Sequence, residues 1–344
     1  MEIREEIIKK YINDIYAIDS PTGFTKNIIK HLEKEANDLG FKTEITEKGN
    51  LLISVEGQNH SRNVGVAAHT DTLGLMVRSI KGNGALAFTK IGGPIIPTLD
   101  GEYCKIYTRN GKVYTGTILS TSPAAHVHKD AASAPRNEDT MEVRIDEVVK
   151  SKDDVLALGI NVGDYICYDP KTVICDSGYI KTRFIDDKMS VVVIFALLEE
   201  YARTNTKPYY DTTFMITVYE EVGHGLAYLP RTINEVLAID MGCIGQDLTC
   251  TEHDVSICVK DSSGPYDYDM ITKLIELAKE NKLSYALDVY PMYGSDVSAA
   301  LRSSNNIKGA LIGTGVYASH GMERTHMDGV KATLQLVNAY LMHE

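Results

Sequence analysis

Short apolar runs alternate with amphipathic helical segments near both ends of this 344-residue chain. The segment from Thr25 to Leu39 has apolar residues at helical spacing, and Gly40 is well placed to end a helix. Strands are predicted to begin at Phe41 and Leu51, and the apolar run Val64 to Ala68 is typical of a strand that is buried on both faces. Such alternation predicts a mainly parallel sheet that helices cover on both faces.

The same alternation returns after Asp176 and continues to the end of the sequence. These later strands are therefore also predicted to belong to a mainly parallel sheet covered by helices. The predicted elements are a helix over 188–204, strands over 212–219, 235–239 and 255–260, a helix over 268–281, a strand over 285–290, a helix over 296–302, a strand over 309–316 and a closing helix over about 324–341.

Between these two regions, from about Gly74 to about Val173, glycine is frequent and helical periodicity is weak. Two β-rich runs flank Asn110 and Gly111, a pair that suits a tight type I′ hairpin turn. We therefore predict a mixed, mainly parallel α/β domain over 1–73 and 175–344, flanked by helices, and an inserted all-β domain over 74–174.

Composition narrows the possible partners and the compartment. Hydrophobic residues make up 44% of the chain and charged residues 24%, which indicates a globular protein. The net charge of -12 disfavours nucleic acid and anionic membranes as partners, because phosphate binding needs a basic surface. The longest apolar run, Val191 to Leu198, is too short to span a bilayer, which needs roughly 20 residues. The chain start lacks a signal-peptide pattern and the cysteines are scattered, so we expect a cytoplasmic protein.

Metal-ligating residue types stand after several of the predicted strands. Ligands of open α/β sheets bind outside the carboxyl ends of the strands, so these residues are expected to share one edge. All of them are competent ligands for zinc or a similar divalent ion. The candidates are His69 and Asp71 after the strand at Val64, Glu220 and Glu221, Asp240, His320, and the pair Asp186 and Asp187 just before a helix.

The Glu220–Glu221 doublet carries a geometric requirement. Neighbouring side chains of an extended strand point to opposite faces, so both carboxylates can face one site only if the strand ends at Tyr219 and the chain turns. Gly223 permits such a turn. Two ions about 3.5–4 Å apart would use this set, with one carboxylate bridging them and another transferring protons.

At these residues the sequence resembles the TET-type di-metal aminopeptidases, whose members carry names such as glutamyl or leucyl aminopeptidase and sometimes cellulase. The resemblance covers essentially the whole chain. It rests on Ser-Pro-Thr-Gly-Phe from Ser20, Ala-His-Thr-Asp-Thr from Ala68, Asp186-Asp187, Glu-Glu-Val-Gly from Glu220, Asp240-Met241-Gly242 and the late His320.

The resemblance implies a role for each position and two divalent ions per subunit, zinc or cobalt. His69 and Asp240 would be terminal ligands, the carboxylate of Asp186 would bridge the ions, and Glu221 and His320 would complete the ligand sets. The Asp186–Asp187 peptide bond would be cis. Glu220 would be the general base, and Asp71 would orient His69. Peptides would be the substrates, and the β insertion would assemble dimers into dodecamers.

Several alternatives remain open at the level of sequence. His326 competes with His320 as the last ligand, and Thr72 and His224 depart from the family pattern. Without metal, paired carboxylates at ~5–9.5 Å could serve a glycosidase, although the histidines would then have no purpose. A binding module that keeps the fold, or a carboxypeptidase or deacylase with the same metal chemistry, are the other hypotheses.

Overall fold

The computed structural model describes residues 3–344. The chain divides into two compact units, an α/β unit formed by the residues up to Thr72 with Lys171–Glu344, and a barrel unit, Leu73–Pro170. The helices are α1 (Glu5–Tyr16), α2 (Lys26–Asp38), α3 (Lys152–Leu158), α4 (Ile185–Thr204), α5 (Tyr268–Glu280), α6 (Asp296–Arg302) and α7 (Met327–Met342). The strands are β1 (Lys42–Ile45), β2 (Leu51–Val55), β3 (Asn59–His69), β4 (Gly74–Ile80), β5 (Leu86–Ile91), β6 (Tyr103–Tyr107), β7 (Val113–Ser120), β8 (Met141–Ile145), β9 (Tyr165–Tyr168), β10 (Val173–Ile174), β11 (Tyr179–Thr182), β12 (Tyr210–Thr217), β13 (Ile233–Ile239), β14 (Gly242–Cys243), β15 (Val255–Asp261), β16 (Gly264–Pro265), β17 (Tyr285–Val289), β18 (Lys308–Val316) and β19 (Glu323–His326).

The α/β unit is built on one large twisted sheet. Its strand order is β1-β2-β12-β3-β13-β18-β15-β16, with β17 beside β15 and β14 beside β18. The central strands β12, β3, β13 and β18 are mutually parallel, whereas β15 runs antiparallel to β18. The predicted mixed, mainly parallel sheet is therefore confirmed.

Helix α4 lies in the core of the α/β unit, and its sequence explains why. Every residue from Ile185 to Leu198 is buried, so the helix is enclosed on all sides rather than along one stripe. Each fully buried Val, Leu, Ile or Phe contributes about 1.5–3 kcal/mol relative to an exposed side chain. Asp186 and Asp187 have non-helical backbone angles, so the regular helix starts at Lys188, the predicted position. Among residues 3–344, no helix combines the length and hydropathy needed to cross a membrane.

The barrel unit is a closed antiparallel barrel with the strand order β4-β5-β8-β7-β6-β9. Strands β4 and β9 pair and so close the barrel, which leaves no exposed strand edge between them. Its helix α3 begins with a capping box between Ser151 and Asp154 and ends at Gly159 in the left-handed region. An all-β insertion is thus confirmed as part of the fold class.

The predicted type I′ turn at Asn110 and Gly111 is wrong. Of these two residues only Gly111 has a positive φ, 84°, whereas a type I′ turn needs two. The amide of Gly111 donates to the carbonyl of Thr108 at 3.1 Å. The loop is therefore a type I turn followed by a left-handed glycine, the common three-residue alternative.

The start of the closing helix also differs from the prediction. Residues Glu323–His326 form β19, which pairs antiparallel with β11, and α7 begins only at Met327. The His326 side chain accepts the backbone N–H of Asp328 and so caps the helix. Local helical spacing could not reveal a strand whose partner lies more than a hundred residues earlier in the chain.

Gly313 in β18 allows the close backbone approach that places Asp240. A Cβ at this position would lie 1.5 Å from the carbonyl oxygen of Asp240, so no other residue type fits without a backbone shift. The amide of Asp240 in turn donates to the carbonyl of Ile312 at 2.9 Å. The segment after β13 is thereby fixed against β18.

Candidate metal centre

Strands β3, β12 and β13 end close together and bring polar residues to one edge of the sheet. His69, the last residue of β3, pairs in register with Thr217, the last residue of β12. Asp240 directly follows β13, which runs beside β18. These residues lie at the carboxyl edge, where open α/β sheets bind ligands.

Asp186 lies between two imidazoles. One carboxylate oxygen, Oδ1, is 3.1 Å from Nε2 of His69, and the other, Oδ2, is 3.4 Å from Nε2 of His320. The Asp186–Asp187 peptide bond is cis, as the family resemblance predicts. Nε2 of His320 is also 3.8 Å from Oε2 of Glu221. One carboxylate therefore faces both histidines with separate oxygens.

Two overlapping groups of three residues place potential metal-ligating atoms close together. In each group one ligand atom per residue lies within 4.8 Å of the others. The first group is His69, Asp186 and Glu221, and the second is His69, Asp187 and Asp240.

The Glu220–Glu221 doublet sits on a short 3₁₀ turn, Glu220–Val222, directly after β12. Tyr219 enters the turn with φ 68° and Gly223 leaves it with φ 82°, both in the left-handed region. The predicted turn is confirmed, although β12 already ends at Thr217. Both carboxylates reach the histidines because the alternation of an extended strand no longer applies.

Asp71 fixes the doublet more directly than it fixes His69. Nδ1 of His69 is 2.9 Å from the backbone oxygen of Asp71 and 3.6 Å from its carboxylate. The carboxylate instead accepts the backbone N–H groups of Glu220 at 3.1 Å and Glu221 at 3.4 Å, and the hydroxyl of Thr22 at 2.6 Å. Asp71 is fully buried, so these bonds form away from solvent.

Glu323 was not predicted as a site residue. Its Oε1 accepts the backbone N–H of His320 at 2.9 Å, and its Oε2 accepts that of Asp186 at 3.1 Å. The side chain is buried. The available signal was an acid three residues after the candidate histidine, a spacing that allows a side chain to bond back to the backbone of the earlier residue.

Asp296 is a second residue that was not predicted as a site residue. Ser295-Asp296 is interpreted first as a helix start, although the family resemblance places this loop near the substrate. Ser295 does form a capping box with Ser298. Asp296 itself is buried, and its Oδ2 accepts the hydroxyl of Thr217 at 2.5 Å. A Cβ at Gly225 would lie 1.9 Å from the other oxygen, so that glycine makes room for the carboxylate.

His320 and His326 lie in different environments. His320 faces Asp186 and Glu221, as described above. His326 instead donates from Nε2 to the carbonyl of Ser177 at 2.9 Å, and its Nδ1 accepts the N–H of Asp328. Of the two alternatives that the sequence left open, the structure brings only His320 to the carboxylate cluster.

The electrostatics of this cluster show excess negative charge. Burial, followed by the negative charge of Asp186, raises the pKa of Asp240 to about 7 and that of Glu323 to about 8. Burial also raises the pKa of Glu220 and of Glu221. It acts in the same direction on Asp186, but hydrogen bonds from His320 and His69 outweigh it and lower that pKa. Nearby acids thus oppose each other's ionisation.

These residues fit divalent cations. Oδ1 of Asp187 and Oε1 of Glu221 are buried and have no hydrogen-bond partner. A buried carboxylate oxygen without a partner is costly unless a cation or a donor compensates it. Imidazole and carboxylate together are the donors that zinc and similar ions bind.

Comparison with known proteins decides the family. The family model described as M42 glutamyl aminopeptidase matches residues 49–336. YhfE of Bacillus subtilis, whose name marks it as a candidate aminopeptidase, is 43% identical over 331 residues that cover 96% of each chain. The chain belongs to the M42 family. It is therefore a metallo-aminopeptidase, a hydrolase, and the resemblance to the TET-type enzymes is confirmed.

Solved structures share the fold of this M42 member. Aminopeptidase APDkam598 from the archaeon Desulfurococcus kamchatkensis superimposes with a TM-score of 0.88 at 22% identity, covering 99% of this chain and 95% of that chain. The TET1 peptidase of Pyrococcus horikoshii, which can assemble into a tetrahedron or a large octahedral shell, gives 0.85 at 23% identity over 98% and 100% of the two chains. At such identities these likenesses establish the fold alone.

The contacts of Asp71 yield a test of its positioning role. Asp71→Asn leaves one oxygen for the N–H groups of Glu220 and Glu221 and turns a donor toward the other, so the doublet should shift. We expect kcat/KM for an aminoacyl anilide to fall about 10–100-fold while the protein stays folded. Thr22→Val, which removes only the hydroxyl bond to Asp71, should cost less. Full activity of Asp71→Asn would contradict the assignment.

Proposed function

We propose that this M42 enzyme removes N-terminal residues from peptides with two divalent ions, zinc or cobalt. The observation that carries the proposal is the position of Asp186, whose two oxygens face two different histidines. A carboxylate that presents one oxygen to each of two ligand sets is suited to bridge two ions. Hydrogen bonds between Asp186 and the two histidines would not by themselves explain why further carboxylates are gathered around them.

The residues divide into two ligand sets around that bridge. His69, Asp240 and Asp186 would hold one ion. His69 is the common member, because its Nε2 lies 3.1 Å from Asp186 and it has a ligand atom within 4.8 Å of one of Asp240. His320, Glu221 and Asp186 would hold the other, because Nε2 of His320 lies 3.4 Å from Asp186 and 3.8 Å from Glu221. Glu221 also has a ligand atom within 4.8 Å of His69, so the two sets adjoin. When bound, such a pair of ions supplies a water of lowered pKa and polarises the peptide carbonyl.

Glu220 is the residue that we assign as the general base. Its Oε2 lies 3.7 Å from Nε2 of His69, so the carboxylate borders the proposed ligand sets. Its side chain is 15% exposed, against 4% for Glu221. The more accessible member of the doublet suits proton exchange with a water and a leaving amine, and the buried member suits metal ligation.

Positioning residues hold these groups through the backbone. Glu323 accepts the amides of both His320 and Asp186, so the bridging carboxylate and one histidine share a single anchor. Asp71 plays the same part for Glu220 and Glu221. Backbone anchors of this kind keep ligands oriented before the ions bind.

The two glutamates of the doublet should respond differently to the same substitution. Glu220→Gln removes the proton acceptor and should lower kcat about 10²–10⁴-fold while the metal content per chain stays near that of the wild type. Glu221→Gln, the matched control one residue away, should instead reduce the metal content. Elemental analysis and anilide kinetics measure both quantities. If Glu220→Gln keeps its activity, Glu220 is not the base.

Metal removal tests the function as a whole. Thorough chelation should abolish hydrolysis of aminoacyl anilides, and zinc or cobalt should restore it, because the water-activating groups are lost with the ions. Peptides with a blocked amino terminus should remain uncleaved, whereas peptides with an amidated carboxyl terminus should be cleaved. Cleavage of blocked peptides would favour a deacylase or an endopeptidase, and activity that survives chelation would contradict the metal mechanism.

Assembly into dimers and then a dodecamer is part of the proposal. Several large apolar side chains of the barrel unit are exposed to solvent, and contact with another subunit would bury them. They include Tyr103 (68% exposed), Val127 (75%), Val148 (91%) and Val162 (65%). Because the TET1 peptidase of similar fold is a dodecamer, light scattering should give a mass near twelve times that of the 38.0 kDa chain. Val148→Asp should shift the mass toward smaller species. A monomeric wild-type protein would contradict the assembly.

A further inference from the structure

A second cluster of metal-ligating residues lies outside the carboxylate cluster. Nδ1 of His253 is 3.0 Å from Oδ2 of Asp328, and Nδ1 of His326 is 3.1 Å from the same oxygen. One ligand atom from each of the three residues lies within 4.8 Å of the others. The residues come from three elements: the turn before β15, the end of β19 and the first turn of α7.

His326 is already oriented as a ligand. Its Nε2 donates to the carbonyl of Ser177 at 2.9 Å, which leaves the lone pair on Nδ1, the nitrogen that faces Asp328. Metal-bound imidazoles usually donate their other N–H to a carbonyl or carboxylate in this way. Tyr179 packs edge-on at 4.9 Å, and Gly178 leaves room for the ring, because a Cβ there would lie 2.5 Å from Nε2.

The distances match a coordination shell after a small adjustment. Ligand atoms around a tetrahedral zinc ion with bonds of about 2.1 Å lie roughly 3.4 Å apart. The two nitrogen-to-oxygen distances at Asp328 are 3.0 and 3.1 Å, so these two pairs need to separate by only a few tenths of an ångström, and the ligand atoms of the two histidines lie within 4.8 Å of each other. Coordination by Nδ1 of His326 would replace its present bond with the N–H of Asp328.

The cluster is reachable from solvent. His253 and Asp328 line a surface groove of about 470 Å³. The His253 side chain is 44% exposed and that of Asp328 59%, whereas His326 is 11% exposed. The nearby cations have partners of their own, since Lys331 pairs with Glu5 and Arg324 pairs with Glu252. An incoming cation therefore does not face an uncompensated positive charge from these two side chains.

We propose that His253, His326 and Asp328 form an additional cation site, which takes one zinc ion or a similar transition-metal ion per chain. Two imidazoles and one carboxylate are a known zinc ligand set, and the groove leaves the fourth position to water. The ion would join the turn at His253 to the start of α7. We expect its effect to be on stability, because its three ligands are not among the residues proposed for catalysis.

Zinc counting on the full-length enzyme tests this site. The wild type, dialysed against micromolar zinc, should hold one more zinc ion per chain than His253→Gln or Asp328→Asn. Both variants should keep the wild-type kcat/KM, and added zinc should raise the thermal midpoint of the wild type more than theirs. His60→Gln is the matched control, because His60 lies 3.0 Å from Asp211 in a comparable surface pair. Equal zinc content in the wild type and both variants, or loss in only one variant, would overturn the three-ligand site.

Discussion

The concentration of carboxylates around Asp186 is the constraint on which the α/β unit depends. Burial, together with the negative charge of Asp186, raises the pKa of Glu221 and of Asp240 above the ordinary range. Only Asp186, held between His69 and His320, keeps a lowered pKa. A protein without cations would gain stability by replacing such a cluster with apolar residues. Metal binding therefore explains why so many buried carboxylates are present in the cluster.

Hydrogen bonds from the backbone to buried carboxylates hold the cluster in place, in addition to the contacts of Asp186 with the two histidines. Asp71 anchors the Glu220–Glu221 turn, and Glu323 anchors both Asp186 and His320. Each anchor joins segments that are more than a hundred residues apart in sequence. Gly313 adds the close approach of β18 that fixes Asp240. The sheet places the residues at one edge, and these hydrogen bonds fix the orientation of the side chains there.

Much of this arrangement was open to prediction from the sequence. The apolar runs gave the central strands, since a strand buried on both faces must be apolar throughout. The need for both members of the doublet to face one site gave the turn after Tyr219. The hairpin around Gly111 is confirmed by the pairing of β6 with β7. By contrast, its turn type and the start of α7 were predicted wrongly, because turn type depends on loop length and β19 is defined by its pairing with the remote β11. Glu323 and Asp296 were missed because Glu323 also accepts the amide of Asp186 and Asp296 accepts the hydroxyl of Thr217, and both of these partners are remote in sequence.

The sequence by itself determined the fold class and, through motifs that resemble the TET-type enzymes, the family, and it supplied the candidate ligands of the carboxylate cluster. The fold class follows from residue type and local period, and the candidates follow from residue types placed after the predicted strands. Only the tertiary structure decided which oxygen of Asp186 faces which histidine, which of His320 and His326 lies in the cluster, and that His253, His326 and Asp328 meet at the surface. Those are distances between segments remote in sequence, and they depend on how strands pair and helices pack rather than on any local pattern.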